Sequence, residues 1–118
     1  MTITIKEADM IANLLGKMLQ VKGIVGYKIA RNLRMINEEL KEYNQIKQEL
    51  FQKYGTEING QLVINKLDDN YVKFMDEIKP YDEQEVNFDF KKITDEELQN
   101  GDLTAEQVLI LSEYFSEE

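Results

Sequence analysis

Between Gly26 and Tyr54 apolar side chains recur at steps of three and four: Ile29, Leu33, Ile36, Leu40, Tyr43, Ile46, Leu50 and Tyr54. That spacing draws a single stripe down an α-helix. Good helix formers fill the positions between, and no Pro interrupts the run. The pattern predicts one helix over residues 26–54, roughly 40 Å long at about 1.5 Å per residue. A narrow apolar stripe on so long a rod needs a surface to cover it.

Before it, Thr2-Ile3-Thr4-Ile5-Lys6 alternates β-branched residues and predicts a short strand. Residues 7–20 predict a helix with Ala8, Ile11, Leu14, Leu15, Met18 and Leu19 on its apolar face. Glu7 and Asp9 near its start favour the helix dipole. Gly16 weakens it by up to about 1 kcal/mol relative to Ala. Close packing against the long helix is one reason for a Gly there, and chance is the other. Gly23 and Gly26 permit a tight turn, so the first helix folds back on the long one as a helical hairpin.

After Tyr54, Gly55 marks the helix end. Asn59-Gly60 signals a two-residue β-hairpin, which demands positive φ at both positions. Residues 68–78 predict another helix, capped by Asp68 or Asp69, with Tyr71, Phe74, Met75 and Ile78 inward and Pro80 at its end. Residues 85–91 alternate cleanly, with Val86, Phe88 and Phe90 on one face and Asn87 and Asp89 on the other. This strand is free to pair with residues 2–5 or with the Asn-Gly hairpin. Thr94-Asp95-Glu96-Glu97 and Thr104-Ala105-Glu106-Gln107 are capping boxes. The first opens a one-turn helix. The second opens a terminal helix to Phe115, with Val108, Leu111 and Phe115 inward. The expectation is an α+β fold, residues 1–118 as a single domain: a long helical hairpin packed with a small, mainly antiparallel sheet and two shorter helices.

The chain contains no Cys and no His. Disulfides, thiolate catalysis and Cys-ligated metals are excluded, and the commonest general base and metal ligand is missing. The expectation is a protein that is not an enzyme and carries no cofactor and no metal. No apolar run approaches the roughly eighteen residues of a membrane span, and no basic-then-apolar leader is visible. A cytoplasmic location without membrane partners follows as the expectation.

Charge is unevenly placed within a net −9. Residues 1–54 hold nine Lys or Arg against six Asp or Glu, a balance of +3; residues 55–118 hold five against seventeen, a balance of −12. Helix-start stabilisation accounts for Asp68, Asp69, Asp95, Glu96 and Glu97. It does not account for Asp76, Glu77, Asp82, Glu83 and Glu85, which are therefore candidates to face a basic partner. The competing reading is a plain solvated surface. No acidic group has the regular spacing of a calcium loop. On the basic side Lys17, Lys22, Lys28, Arg31 and Arg34 gather around the turn. Tyr27, Lys28, Arg31 and Arg34 are candidates to hold a phosphate-like anion. Ordinary helix-surface pairing, such as Arg34 with Glu38, competes with that reading. Gly23-Ile24-Val25-Gly26 also matches the Gly-x-x-Gly clamp of one RNA-binding fold, but the strands that fold requires are absent, so direct nucleic-acid binding is not expected.

Several segments occur together: Leu-Leu-Gly-Lys-Met-Leu, then Gly-x-x-Gly-Tyr-Lys-Ile-Ala-Arg-Asn, a Glu-Glu-Leu-Lys-Glu-Tyr helix and a Lys-Tyr-Gly stop. An Asn-Gly hairpin follows, and a Leu-Thr-Ala-Glu-Gln-Val-Leu helix before a final Glu-Glu. In this order the chain resembles a family of small proteins from tailed phages and prophages of Gram-positive bacteria, the domain of unknown function sixteen-seventeen. The resemblance covers most of the chain and carries over no catalytic residues. It implies a phage product acting inside the bacterial cell. The expected function is a non-enzymatic interaction protein that binds and modulates a host protein with a basic surface, inhibition being the expected form and a bacterial immunity factor one such target. Two alternatives stay open: a small-molecule sponge for a nucleotide-like anion, and a structural or assembly role in the phage particle. The length of the stripe on residues 26–54 adds the expectation of a homo-oligomer formed through that helix.

Overall fold

A computed structural model describes residues 1–116, and its architecture is α+β. In chain order the elements are β1 (Thr2–Thr4), α1 (Ile5–Gly16), α2 (Gly23–Glu39), α3 (Lys41–Tyr54), β2 (Thr56–Ile58) and β3 (Gln61–Val63). Then come α4 (Asp69–Asp82), β4 (Glu85–Asn87), α5 (Asp95–Asn100) and α6 (Ala105–Phe115).

Helix α1 begins two residues before the predicted start because Thr4 caps it. The Thr4 hydroxyl accepts the Glu7 N–H at 3.1 Å, while the Glu7 carboxylate accepts the Thr4 N–H at 3.5 Å. The helix stops at Gly16 rather than Gln20. The next four residues turn, burying Met18 and leaving Leu19 61% exposed, so Leu19 is not on the inward face. A Cβ on Gly16 would meet nothing within 4 Å, so close packing does not explain that glycine. Gly26 is different: a Cβ there would run into the carbonyl of Val21, and the turn from α1 into α2 closes only with glycine in that place.

The predicted single helix over residues 26–54 is two helices meeting at Leu40. Helical hydrogen bonding continues across the joint, from Leu40 N–H to Ile36 O at 2.9 Å and from Asn44 N–H to Leu40 O at 2.8 Å. The Leu40 backbone leaves helical geometry, with ψ near 2°. No Pro or Gly lies there. Leu40 is instead fully buried at the point where cover by α1 gives way to cover by α4. The joint is a consequence of tertiary packing.

Helix α4 lies along α3. Phe51 and Phe74 meet with ring centroids 4.8 Å apart. This cover accounts for half of the apolar stripe within one chain. Ile29, Ile36, Leu40 and Tyr43 are buried, and Leu33, Ile46, Leu50 and Tyr54 are partly buried against the core. Pro80 does not end α4, which continues to Asp82. The proline's fixed φ suits a helix, and the Glu83 N–H still reaches the Lys79 carbonyl at 3.1 Å. Phe74 and Ile78 are buried, whereas Met75 lies at the exposed edge.

Strand β4 pairs antiparallel with β1, Ile3 opposite Val86. The alternation continues past the ladder, with Phe88 and Phe90 buried and Asn87 and Asp89 exposed. Phe88 stacks on Phe90 at 5.0 Å, and Phe90 meets Phe115 edge-on at 5.1 Å. Strands β2 and β3 form the predicted hairpin, with Asn59 and Gly60 at φ 53° and 81°. Both later capping boxes are made, at Thr94 and Thr104. The molecule measures 50 × 31 × 22 Å with a Cα radius of gyration of 16.9 Å, against about 13 Å for a compact domain of this size. Among the described residues no helix is long and apolar enough to cross a membrane.

Candidate partner-binding site

The outer faces of α3 and α4 enclose two hollows of about 220 and 440 Å³. Both are bordered by Ile46 and Tyr81, so the two hollows adjoin, and together they make up the groove between α3 and α4. On α3, Glu42, Ile46, Glu49 and Lys53 follow one another at steps of three and four and face it together. Ile46, Leu50, Tyr81 and Val86 supply its apolar floor. Five carboxylates rim it: Glu39, Glu42 and Glu49 from the α2–α3 side, Asp76 and Glu77 from α4. Lys53 is the one cation in that lining, and it is paired with Glu77 at 3.3 Å.

Glu77 also accepts a hydrogen bond from the Tyr54 hydroxyl at 2.7 Å. That bond holds its carboxyl below the usual carboxylate range, and Lys53 adds to the effect. Bonding to Tyr54 and Glu77 in turn raises the Lys53 ammonium.

The five acidic candidates do not share one face. Asp76 and Glu77 line the groove. Asp82, half-buried behind it, accepts the Tyr43 hydroxyl at 2.6 Å. Burial, then Asp82 and Asp9, push the Tyr43 phenol well above its ordinary value. Glu83 lies on the surface 3.9 Å from Lys79. Glu85 is exposed on β4, on the opposite side of the strand from Val86. Glu39, Glu42 and Glu49 were hidden from a count by halves, because they lie in the basic part of the sequence. Their helical spacing beside Ile46 was the signal that would have found them.

The basic candidates separate further. The Arg31 guanidinium lies 6.0 Å from the Tyr27 ring, and Arg34 pairs with Glu38 at 3.2 Å on open surface. Lys28 turns inward, with its ammonium 2.7 Å from Glu97 and 2.6 Å from the Lys92 carbonyl. Lys17 and Lys22 line separate hollows. Tyr27, Lys28, Arg31 and Arg34 thus do not converge on one anion. One turn from Lys28, the buried Asn32 bonds the Lys91 backbone twice. Its position between Ile29 and Ile36 on the apolar stripe marked it as a polar core residue, although no pattern-based reading singled it out.

Among the described residues no cluster of acidic side chains is arranged to hold a metal ion. Comparison of the chain with protein-family models, with curated proteins and with solved structures gives no match.

Proposed function

We propose that the chain is a non-enzymatic, phage-encoded interaction protein that binds a basic host protein in the bacterial cytoplasm and inhibits it. One observation carries the reading: carboxylates from both halves of the sequence line a single apolar-floored groove in which the only cation is already paired. Glu77 is tied to Tyr54 and Lys53, while Glu39, Glu42, Glu49 and Asp76 are left as like charges that repel one another, and a cationic partner relieves that repulsion and is steered in by it. The phage origin and the host target rest on the sequence resemblance. The anion-sponge alternative has less behind it, because Lys28 is turned inward onto Glu97 while Arg34 stands on open surface beside Glu38.

The test is affinity capture from host lysate with the parent protein and with a Glu42→Lys, Glu49→Lys, Asp76→Lys variant. A basic protein retained by the parent, lost by the variant and released by raised salt is the expected result. The same proteins recovered on both would overturn the reading.

A further inference from the structure

We infer that the groove between α3 and α4 receives a single basic amphipathic helix belonging to the partner. The inference rests on reading the chain as an interaction protein, and it names the element that docks.

The groove runs from Glu39, at the end of α2, along α3 to Lys53. At about 1.5 Å per residue that is about 21 Å, or four helical turns. Its floor is a narrow apolar strip, Ile46, Leu50 and Tyr81, and carboxylates flank the strip on both sides. The complement of such a surface is a helix with one apolar stripe bordered by Lys or Arg on each edge. Tyr81 stands 41% exposed in the middle, offering a broad ring for an apolar side chain.

Secondary structure in the occupant follows from its backbone. Apart from Gln84 and Val86 at one end, the walls are helices, whose backbone groups are already paired within α3 and α4. An extended segment lying there would leave its own N–H and C=O groups without partners where it was desolvated. A helix satisfies them internally. The rim also discriminates by charge, because nucleic acid and anionic membrane headgroups are repelled by it.

The experiment uses the full chain and three synthetic peptides of about 18 residues, five turns at about 3.6 residues each. One is a Leu–Lys amphipathic helix, the second a scramble of the same composition, the third the same helix with Glu in place of Lys. Each carries one Trp, which reports binding cleanly because the protein has none. The basic amphipathic peptide is expected to bind at least about tenfold more tightly than its scramble, a difference of about 1.4 kcal/mol, and to gain helical circular dichroism when bound. The Glu peptide is expected not to bind. Tyr81→Ser and, separately, Glu49→Lys should each weaken binding, and unchanged melting curves would show both variants to be folded. Equal affinity for the scramble would overturn the inference, as would binding insensitive to both substitutions. Dimerisation of the protein alone, abolished by Glu49→Lys, would place a second copy in the groove and overturn it too. Absence of peptide binding while charge-dependent capture of a basic protein persists would overturn the docked helix alone. Loss of that capture would overturn the functional reading itself.

Discussion

The side chain of Asn32 and the backbone of Lys91 exchange two hydrogen bonds: Asn32 Nδ2 donates to the Lys91 carbonyl at 3.1 Å, and the Lys91 N–H donates to Asn32 Oδ1 at 2.7 Å. A carboxamide presents the same donor and acceptor pair as a neighbouring strand. Here it takes the place of one, fastening an irregular segment to the middle of a helix. Asn32 is fully buried, so its carboxamide has no water as an alternative partner.

Replacing Asn32 with Ala removes both bonds to the Lys91 backbone and the packing of a fully buried side chain. At about 1 kcal/mol net for each hydrogen bond, Asn32→Ala is expected to lose about 2 kcal/mol or more in urea denaturation. Lys91→Ala keeps the backbone bonds and should stay within about 0.5 kcal/mol of the parent. Equal losses for the two would show that the clamp does not hold the segment.

One turn earlier, Lys28 holds the same segment through Glu97 and the Lys92 carbonyl. Lys28 first, and the Thr94 N–H after it, keep the Glu97 carboxyl below its ordinary value of 4.5. A carboxylate with a depressed folded-state pKa contributes stability that is complete above the unfolded value and lost as pH falls through the folded one. Glu97→Gln should therefore be less stable than the parent at neutral pH, with the gap closing below about pH 4 as the parent's Glu97 takes up its proton and loses the charge that the variant never had. Matched urea midpoints across that range check this. A gap independent of pH would remove the ion pair as the cause.

The local elements were legible where one residue type dictates one geometry. Asn59-Gly60 gave the hairpin, and the Thr94 and Thr104 boxes gave two helix starts. Thr4-Ile5-Lys6-Glu7 is the same box, but it is set among β-branched residues that favour a strand, and the helix it opens starts two residues before the position that periodicity alone indicates. The joint at Leu40 left no mark because packing by α1 and α4 sets it, and no breaker residue is involved. The groove was half legible. Asp76 and Glu77 stood out as charges with no helix-start role. Glu39, Glu42 and Glu49 are masked by nearby lysines, of which Lys41 lines a different hollow and Lys47 pairs with Asp9.

Two glycines with opposite surroundings test the turn. At Gly26 an added Cβ meets the Val21 carbonyl, backbone that cannot move without opening the α1–α2 connection. Gly26→Ala is expected to cost about 1–3 kcal/mol. At Gly16 the added methyl meets open space, and Gly16→Ala should gain up to about 1 kcal/mol from helix propensity. Thermal melts of the pair should shift in opposite directions. Shifts of the same sign would mean that the close approach at Val21 is not what selects glycine.

Carboxylates only a few residues apart on α4 divide between holding the fold and facing outward. Asp82 accepts the Tyr43 hydroxyl at 2.6 Å, and Tyr43 is buried against α4. Asp82→Ala leaves that hydroxyl without its acceptor, so a loss of about 1–3 kcal/mol is expected. Tyr43→Phe removes the donor and the need together. In the double variant the cost of Asp82→Ala should shrink, giving a coupling energy of at least about 0.5 kcal/mol. Asp76 makes no such bond, and Asp76→Ala, with Glu42→Ala and Glu49→Ala, should leave the melting temperature nearly unchanged or raise it by relieving like-charge repulsion. The same rim substitutions should slow association with a basic partner, and the parent's rate should fall as salt rises, since exposed charges are screened over about 8 Å at physiological ionic strength. Asp82→Ala, compared at a temperature where it stays folded, should change that rate much less. If rim and Asp82 variants lost stability alike and associated alike, the groove carboxylates would be structural, and the outward-facing site would have no basis.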